Sequence, residues 1–72
     1  MDYVKIFSKR LRELRIERGL SVNELAKEVG FSGAAISRWE NGLQEPKFTI
    51  IIKLSQYFNI SQDYLTGVSD IW

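Results

Sequence analysis

Four polar side chains in one short segment are the residues of this sequence best suited to chemistry. They are Ser32, Ser37, Arg38 and Asn41. A guanidinium is a planar fork of donors that fits two acceptors at once, on a phosphate group or on the edge of a guanine base. Hydroxyl and amide groups can donate single hydrogen bonds to the same acceptors. The segment therefore indicates a surface that binds an acceptor-rich partner.

The composition excludes most catalytic and metal-binding chemistry. The 72 residues include no His and no Cys, so the commonest general base, the commonest metal ligand and every thiolate are missing. The carboxylates are scattered over predicted helix surfaces and form no acid-base pair. We therefore expect no enzymatic activity, no metal site and no cofactor.

The hydropathy pattern indicates one small soluble domain in the cytoplasm. The longest apolar run, Ile50 to Ile52, is far too short to span a bilayer. The N-terminal residues lack the continuous apolar stretch of a signal peptide. A chain of 72 residues has room for a single domain.

Basic side chains are concentrated near the start of the chain. Residues 2–18 carry six Lys or Arg against three Asp or Glu, whereas the whole chain has a net charge of only +1. Positive charge attracts the phosphates of nucleic acids. A basic helix face is also common on ordinary solvated surfaces. The charge pattern alone therefore leaves both interpretations open.

Helical periodicity surrounds the polar segment. A first helix, capped by Asp2, is predicted from an apolar stripe formed by Val4, Phe7, Leu11 and Leu14. Three later helices are predicted to begin after Ser21, Ser32 and Ser61, because each serine lies between apolar residues at the spacing of a hydrophobic staple. Ser21 and Glu24 also have the spacing of a capping box.

A fourth helix is predicted from about Lys47 to Tyr57 or Phe58, after a loop that ends at Pro46. Its inward face consists of Ile51, Leu54, Ser55 and Phe58. Three further apolar residues lie outside that face, namely Ile50, Ile52 and Tyr57. No strand-length alternation and no internal repeat is present. The sequence therefore predicts an all-α fold of five short helices.

Residues 21–42, SVNELAKEVGFSGAAISRWENG, have the form of a helix-turn-helix. Gly30 suits the turn, and the small Ala26 lets the two helices cross closely. The segment resembles the phage repressor and Cro type of helix-turn-helix, the xenobiotic-response-element-like regulators. RLRELR and NISQDYLTG extend this resemblance along nearly the whole chain. It implies a compact five-helix lambda-repressor-like DNA-binding domain in residues 1–67, followed by a short tail in residues 68–72.

The resemblance also implies a function. Members of the family are sequence-specific regulators of transcription, commonly repressors, that place the third helix in the major groove of double-stranded operator DNA. We accordingly expect a homodimer on a two-fold symmetric operator, with residues 32–41 in the groove. No small-molecule effector is evident from the sequence. The family commonly pairs an arginine of the first helix with a glutamate near the end of the third. Arg15 and Glu40 occupy those positions here.

This sequence departs from the family pattern on the surface that would read DNA. Val22 stands where a glutamine is common, and Gly33 stands where a polar residue is common. The expected base-reading residues are Gly33, Ala34, Ser37 and Arg38. Arg38 is expected to contact either guanine or a phosphate. The alanine methyls are expected either to pack on thymine methyls or to act only as good helix formers.

Two further sets of residues are expected to contact partners. Phosphate contacts are expected from Ser21, Asn23, Ser32, Asn41, Lys47 and Thr49. A dimer interface is expected from the outer side of the fourth helix and the tail, through Ile50, Ile52, Tyr57 and Trp72. The competing hypothesis is an antitoxin-like or regulatory module whose helix-turn-helix face binds a protein, which the low net charge and the Gly-Ala-Ala tip favour.

Overall fold

Five α-helices are present in the part of the chain that the computed structural model describes, residues 2–71. They are α1 (Tyr3–Glu17), α2 (Val22–Val29), α3 (Gly33–Glu40), α4 (Phe48–Phe58) and α5 (Gln62–Thr66). Since residues 2–71 contain no strand, the predicted all-α fold is confirmed. None of the helices within these residues is long and apolar enough to cross a membrane.

Side-chain caps explain why four of the helices begin where they do. The capping residues are Asp2, Ser21, Ser32 and Ser61, and each accepts a hydrogen bond from the backbone N–H three residues later at 3.0–3.1 Å. At α2 the carboxylate of Glu24 also accepts from the backbone N–H of Ser21 at 2.9 Å, which completes the capping box. Hydrogen bonds from the backbone and side chain of Ser21 lower the pKa of Glu24 below its ordinary value.

Helix α4 begins without such a cap. Lys47 precedes it with an extended backbone and makes no side-chain capping hydrogen bond. The helix therefore starts at Phe48, within one residue of the predicted start.

Each helix contributes to the core at least one apolar side chain with no exposed surface. These residues, all 0% exposed, are Leu11, Leu25, Ile36, Leu54 and Leu65. Burial of a side chain of this size contributes about 1.5–3 kcal/mol. The small Ala26 is buried as well, so α2 and α3 can pack closely, and Trp39 packs edge-on against Phe31 with ring centroids 5.3 Å apart. The apolar stripes predicted from the sequence thus form one shared core.

The turn between α2 and α3 is built on Gly30. Its φ of 78° lies in the left-handed region that glycine adopts without strain. The backbone N–H groups of Gly30 and Phe31 both donate to the carbonyl of Ala26, each at 2.9 Å. These hydrogen bonds end α2, and α3 begins at Gly33, three residues after Gly30, so the turn sets the direction of α3.

Candidate nucleic-acid interface

The exposed face of α3 carries the residues expected to read bases. Ala34 and Arg38 are exposed, whereas Gly33 and Ser37 are half-buried. The opposite face is buried through Ile36, Trp39 and Glu40. Ala34 and Arg38 are one helical turn apart, so they share one side of the helix. The helix thus presents a narrow strip of small residues with a single long side chain.

A buried ion pair holds the end of α3 against α1. Arg15 donates through Nε and Nη2 to the two carboxylate oxygens of Glu40, at 2.6 and 2.9 Å. The Glu40 side chain is 2% exposed and that of Arg15 is 13% exposed. Arg15 Nη1 also donates to the carbonyl of Leu20 at 2.8 Å. Hydrogen bonding to Glu40 raises the pKa of Arg15, so the guanidinium stays charged and its hydrogen bonds fix the position of α3.

Four of the six basic side chains in residues 2–18 contact other groups of the protein. Arg12 and Arg15 share the carboxylate of Glu40. Arg10 is hydrogen-bonded to the C-terminal tail, and Arg18 lies over an aromatic ring of α4. The basic character of this segment therefore has a largely structural explanation.

Gln44 was not predicted from the sequence as a site residue, yet it contacts the one long side chain of the α3 surface. Arg38 Nε donates to Gln44 Oε1 at 3.0 Å. The backbone supports this contact, because the N–H of Leu43 donates to the carbonyl of Arg38 at 2.9 Å and folds the loop back over α3. Within residues 2–71 this is the one hydrogen bond of the Arg38 guanidinium, so its two terminal nitrogens make none there.

The Asn41 side chain is hydrogen-bonded to Ser37 at the end of α3. Its Nδ2 donates to the backbone carbonyl of Ser37 at 2.8 Å and to the Ser37 hydroxyl at 3.3 Å. The same amide retains its Oδ1 as an acceptor, and the side chain is exposed. Asn41 thus caps the helix while staying on its surface, and Ser37 is tied to it.

Gly33 lies directly against Asn23 of α2. A Cβ atom built on Gly33 would be 2.1 Å from Asn23 Oδ1 and 3.3 Å from Asn23 Cγ. No real Cβ contact is that short, so a side chain at position 33 would displace Asn23. The structure thereby brings together two predicted site residues that are ten positions apart in the sequence.

The remaining predicted phosphate contacts lie at helix starts. The hydroxyls of Ser21 and Ser32 are occupied by their capping hydrogen bonds, so the free N–H groups of the first turns are the donors left for an anion. Lys47 and Thr49 are exposed on either side of the α4 start. The candidate phosphate donors are therefore the first-turn N–H groups of α2 and α3 and the exposed residues Lys47 and Thr49.

The apolar residues on the outer side of α4 are only half-exposed. Ile50 and Tyr57 pack against the core of their own chain. Tyr57 also contacts Phe58 edge-on at 5.0 Å between ring centroids, and the Arg18 guanidinium lies 4.9 Å from the Tyr57 ring centroid. Intramolecular packing therefore explains part of the apolar surplus of α4. Ile52 is half-buried too, and Trp72 lies outside the described residues.

The described part of the tail is held against the helices. Arg10 donates to the carbonyl of Ser69 at 2.8 Å and to the carboxylate of Asp70 at 2.7 Å. The Ser61 hydroxyl donates to the carbonyl of Ile71 at 3.1 Å. The side chain of Ile71 is nevertheless 79% exposed. The tail thus presents an apolar residue to solvent from a fixed backbone.

These features define a class of protein. A glycine turn joins two capped helices, and the second of them is exposed on one face and tied to α1 by an ion pair, as in DNA-binding domains of the helix-turn-helix type. Residues 11–65 match the family described as Helix-turn-helix, HTH_3, and the chain belongs to this family. The family resemblance expected from the sequence is thereby confirmed.

Relatives of this chain include a transcriptional repressor and a transcriptional activator. The transcriptional repressor RghR of Bacillus subtilis is 47% identical over 60 residues, which cover 82% of this chain and 44% of RghR. The transcriptional activator BcrR of Enterococcus faecalis is 32% identical over 65 residues, which cover 90% of this chain and 32% of BcrR. The matched region covers between 18% and 58% of the length of the curated relatives, and 50% of the length of the regulator ImmR of Bacillus subtilis.

A solved repressor has the same fold. The structure of the P22 c2 repressor in complex with the synthetic operator 9T superimposes with a TM-score of 0.81 and 33% identity. The match covers 89% of this chain and 97% of that chain. It confirms the predicted five-helix lambda-repressor-like domain.

Proposed function

We propose that this chain is a sequence-specific double-stranded DNA-binding regulator of transcription, acting as a repressor in the cytoplasm, with α3 in the major groove. The observation that carries the proposal is Arg38, which projects from the exposed face of α3 and is held by Gln44 at 3.0 Å. The operator-bound repressor of the same fold supports DNA as the partner. Family membership of the matched region supports the same class of function.

In the proposed mechanism Arg38 contacts a guanine. Since Gln44 engages Nε, the two terminal nitrogens are left to donate to O6 and N7, and the guanidinium is already oriented before DNA arrives. The methyl group of Ala34 lies on the same face and packs on the C5-methyl of thymine. Ser37 and Gly33 complete the proposed base-reading strip.

The proposed phosphate contacts position this strip. They are the helix starts at Ser21 and Ser32 and the surface after α3, namely Asn41, Lys47 and Thr49. The N-terminal amides of α2 and α3 favour anions because they are free donors at the positive end of the helix dipole. The buried pair of Arg15 and Glu40 keeps α3 at a fixed angle to these groups.

The proposed active form is a homodimer on a two-fold symmetric operator. A single helix contacts too few base pairs to define a site, whereas two copies double the contacted sequence. The proposed interface is the outer side of α4 and the tail, through Ile50, Ile52, Tyr57 and Trp72. Ile52→Glu is the cleanest test, because Ile50 and Tyr57 also support the core. We expect sedimentation to show a dimer for the wild type and a folded monomer for the variant; a wild-type monomer at operator-binding concentrations contradicts the proposal.

The DNA proposal is tested by selection from a pool of random duplexes, at about 100 mM salt and again at higher salt, because phosphate contacts weaken steeply with ionic strength. We expect enrichment of two half-sites about one helical turn apart. Arg38→Ala should lose preference at a single guanine by about 1–3 kcal/mol, and Gln44→Ala should weaken preference at the same position less. Lys27→Ala, which removes an exposed positive charge from α2, is the matched control and should leave the preferred sequence unchanged.

A protein partner is the second candidate function, and one observation favours it. Leu43 and Phe48 are 75% and 73% exposed, and they lie in and just after the loop that follows α3. Exposed apolar side chains beside a binding face are typical of protein interaction sites. If the selection enriches no sequence, the DNA proposal fails and an antitoxin-like or regulatory interaction module becomes the better explanation of this face.

A further inference from the structure

The glycine at the tip of α3 lies against a polar side chain of α2. Gly33 is the first residue of α3 and does not have a positive φ, so no turn geometry requires glycine there. The absence of a side chain leaves room for Asn23, whose Oδ1 is 2.1 Å from the position a Cβ would take. A Cβ at position 33 would therefore move the Asn23 amide from this place.

Asn23 therefore occupies the space that a side chain at position 33 would fill. Its amide has no hydrogen-bond partner among residues 2–71, and its side chain is exposed. Two other polar side chains of the same surface each use a donor within the protein, since Asn41 donates to Ser37 and Arg38 donates to Gln44. Asn23 thus has a free donor and a free acceptor at the N-terminal tip of α3.

We propose that Asn23 is a specificity-determining residue that contacts a base edge across Gly33 and supplies the polar contact that α3 lacks at its tip. The matching base is adenine, because a side-chain amide can accept from N6 and donate to N7 at once. This role differs from the phosphate contact predicted from the sequence, and it rests on the proposed DNA-binding function. Gly33 and Asn23 then act as one unit, the first making room for the second.

The proposal predicts coupled effects of two substitutions. In selection from random duplexes, Asn23→Ala should reduce discrimination at one base pair by about 5- to 150-fold while preferences elsewhere persist. Gly33→Ala should cause the same loss, because the new Cβ displaces the Asn23 amide. In the Asn23→Ala background Gly33→Ala should add less than a 2-fold effect, since the next neighbour, Val22 Cγ1, is 3.8 Å away at ordinary contact distance. Gln56→Ala on α4 is the control and should change nothing.

Other results would contradict base recognition by Asn23, its coupling to Gly33 or the DNA-binding function itself. A uniform loss of affinity over all sequences for Asn23→Ala means a phosphate contact and contradicts base recognition. If the losses caused by Asn23→Ala and Gly33→Ala add fully in the double variant, the two residues act independently, which contradicts the proposal that they act as one unit. A wild-type protein that enriches no sequence overturns the DNA function and with it this role, whereas an enriching wild type with an unchanged Asn23→Ala profile overturns only the role of Asn23. Thermal unfolding of each variant separates these results from a loss of fold.

Discussion

Arg15→Ala is the substitution that most severely tests the anchoring of α3. It removes two hydrogen bonds to the Glu40 carboxylate, at 2.6 and 2.9 Å, and one to the Leu20 carbonyl at 2.8 Å. It also leaves a carboxylate that is 2% exposed without its main partner. Breaking a buried ion pair in this way costs about 3–5 kcal/mol.

The expected loss is smaller than that range because a second cation remains. Arg12 Nε is 3.3 Å from Glu40 Oε1 and partly neutralises the carboxylate. We therefore expect Arg15→Ala to reduce the free energy of unfolding by about 2–3 kcal/mol. A domain of this length is stable by about 4–11 kcal/mol, so the substitution removes a large share of the total.

Arg12→Ala is the matched control for Arg15→Ala. It removes the same charge from the same helix and the same carboxylate, but the Arg12 side chain is 53% exposed. Such an exposed ion pair contributes only about 0–1 kcal/mol. Urea unfolding followed by far-UV circular dichroism should show a midpoint lower by about 2–3 M for Arg15→Ala, for an m-value of about 1 kcal/mol/M. Equal losses for the two variants would refute the reasoning, because burial of the pair would then have no measurable effect.

Two further predictions concern a glycine and a capping carboxylate. Gly67→Ala should lower the midpoint of thermal unfolding, because the φ of Gly67 is 93° and a Cβ there would be 2.7 Å from Ile6 Cγ2. Gly19→Ala is the control and should lower the midpoint less, because the φ of Gly19 is 68° and the space around it is open. A larger decrease for Gly19→Ala than for Gly67→Ala would contradict this prediction. The folded-state pKa of Glu24 is lowered by Ser21, so its ionisation stabilises the protein above the unfolded-state pKa, and this contribution is lost as pH falls through the folded-state pKa. Unfolding curves measured over a series of pH values should therefore show that the wild type loses its stability advantage over Glu24→Gln as the pH falls below 4.5, the ordinary pKa of a glutamate. A stability difference that stays constant with pH would contradict this prediction.

The helices were predictable because their signals are local. A serine side chain can accept a hydrogen bond from the backbone N–H three residues later, as at Ser21 and Ser32. This pattern defines a helix start within a few positions of sequence. Gly30 marks the turn for the same reason, since its left-handed φ is a property of one residue. The apolar periodicity of α1 and α4 identified the core residues Leu11 and Leu54.

The contacts of the candidate site were less predictable because they join distant residues through loops and turns. Gln44 reaches Arg38 only because the loop after α3 folds back. The contact between Asn23 and Gly33 depends on the angle between α2 and α3, which no single residue type reveals. The half-burial of Tyr57 likewise depends on where Arg18 ends its helix.

Sequence-specific DNA binding is the central proposal, and fluorescence anisotropy on two duplexes tests it: the site enriched by selection and a shuffled version of equal length and composition. We predict that the enriched duplex binds at least about 10³-fold more tightly, and that added salt weakens both while the ratio persists. Equal affinity for the two duplexes at every salt concentration would mean that only phosphates are contacted, and it would contradict base recognition by α3.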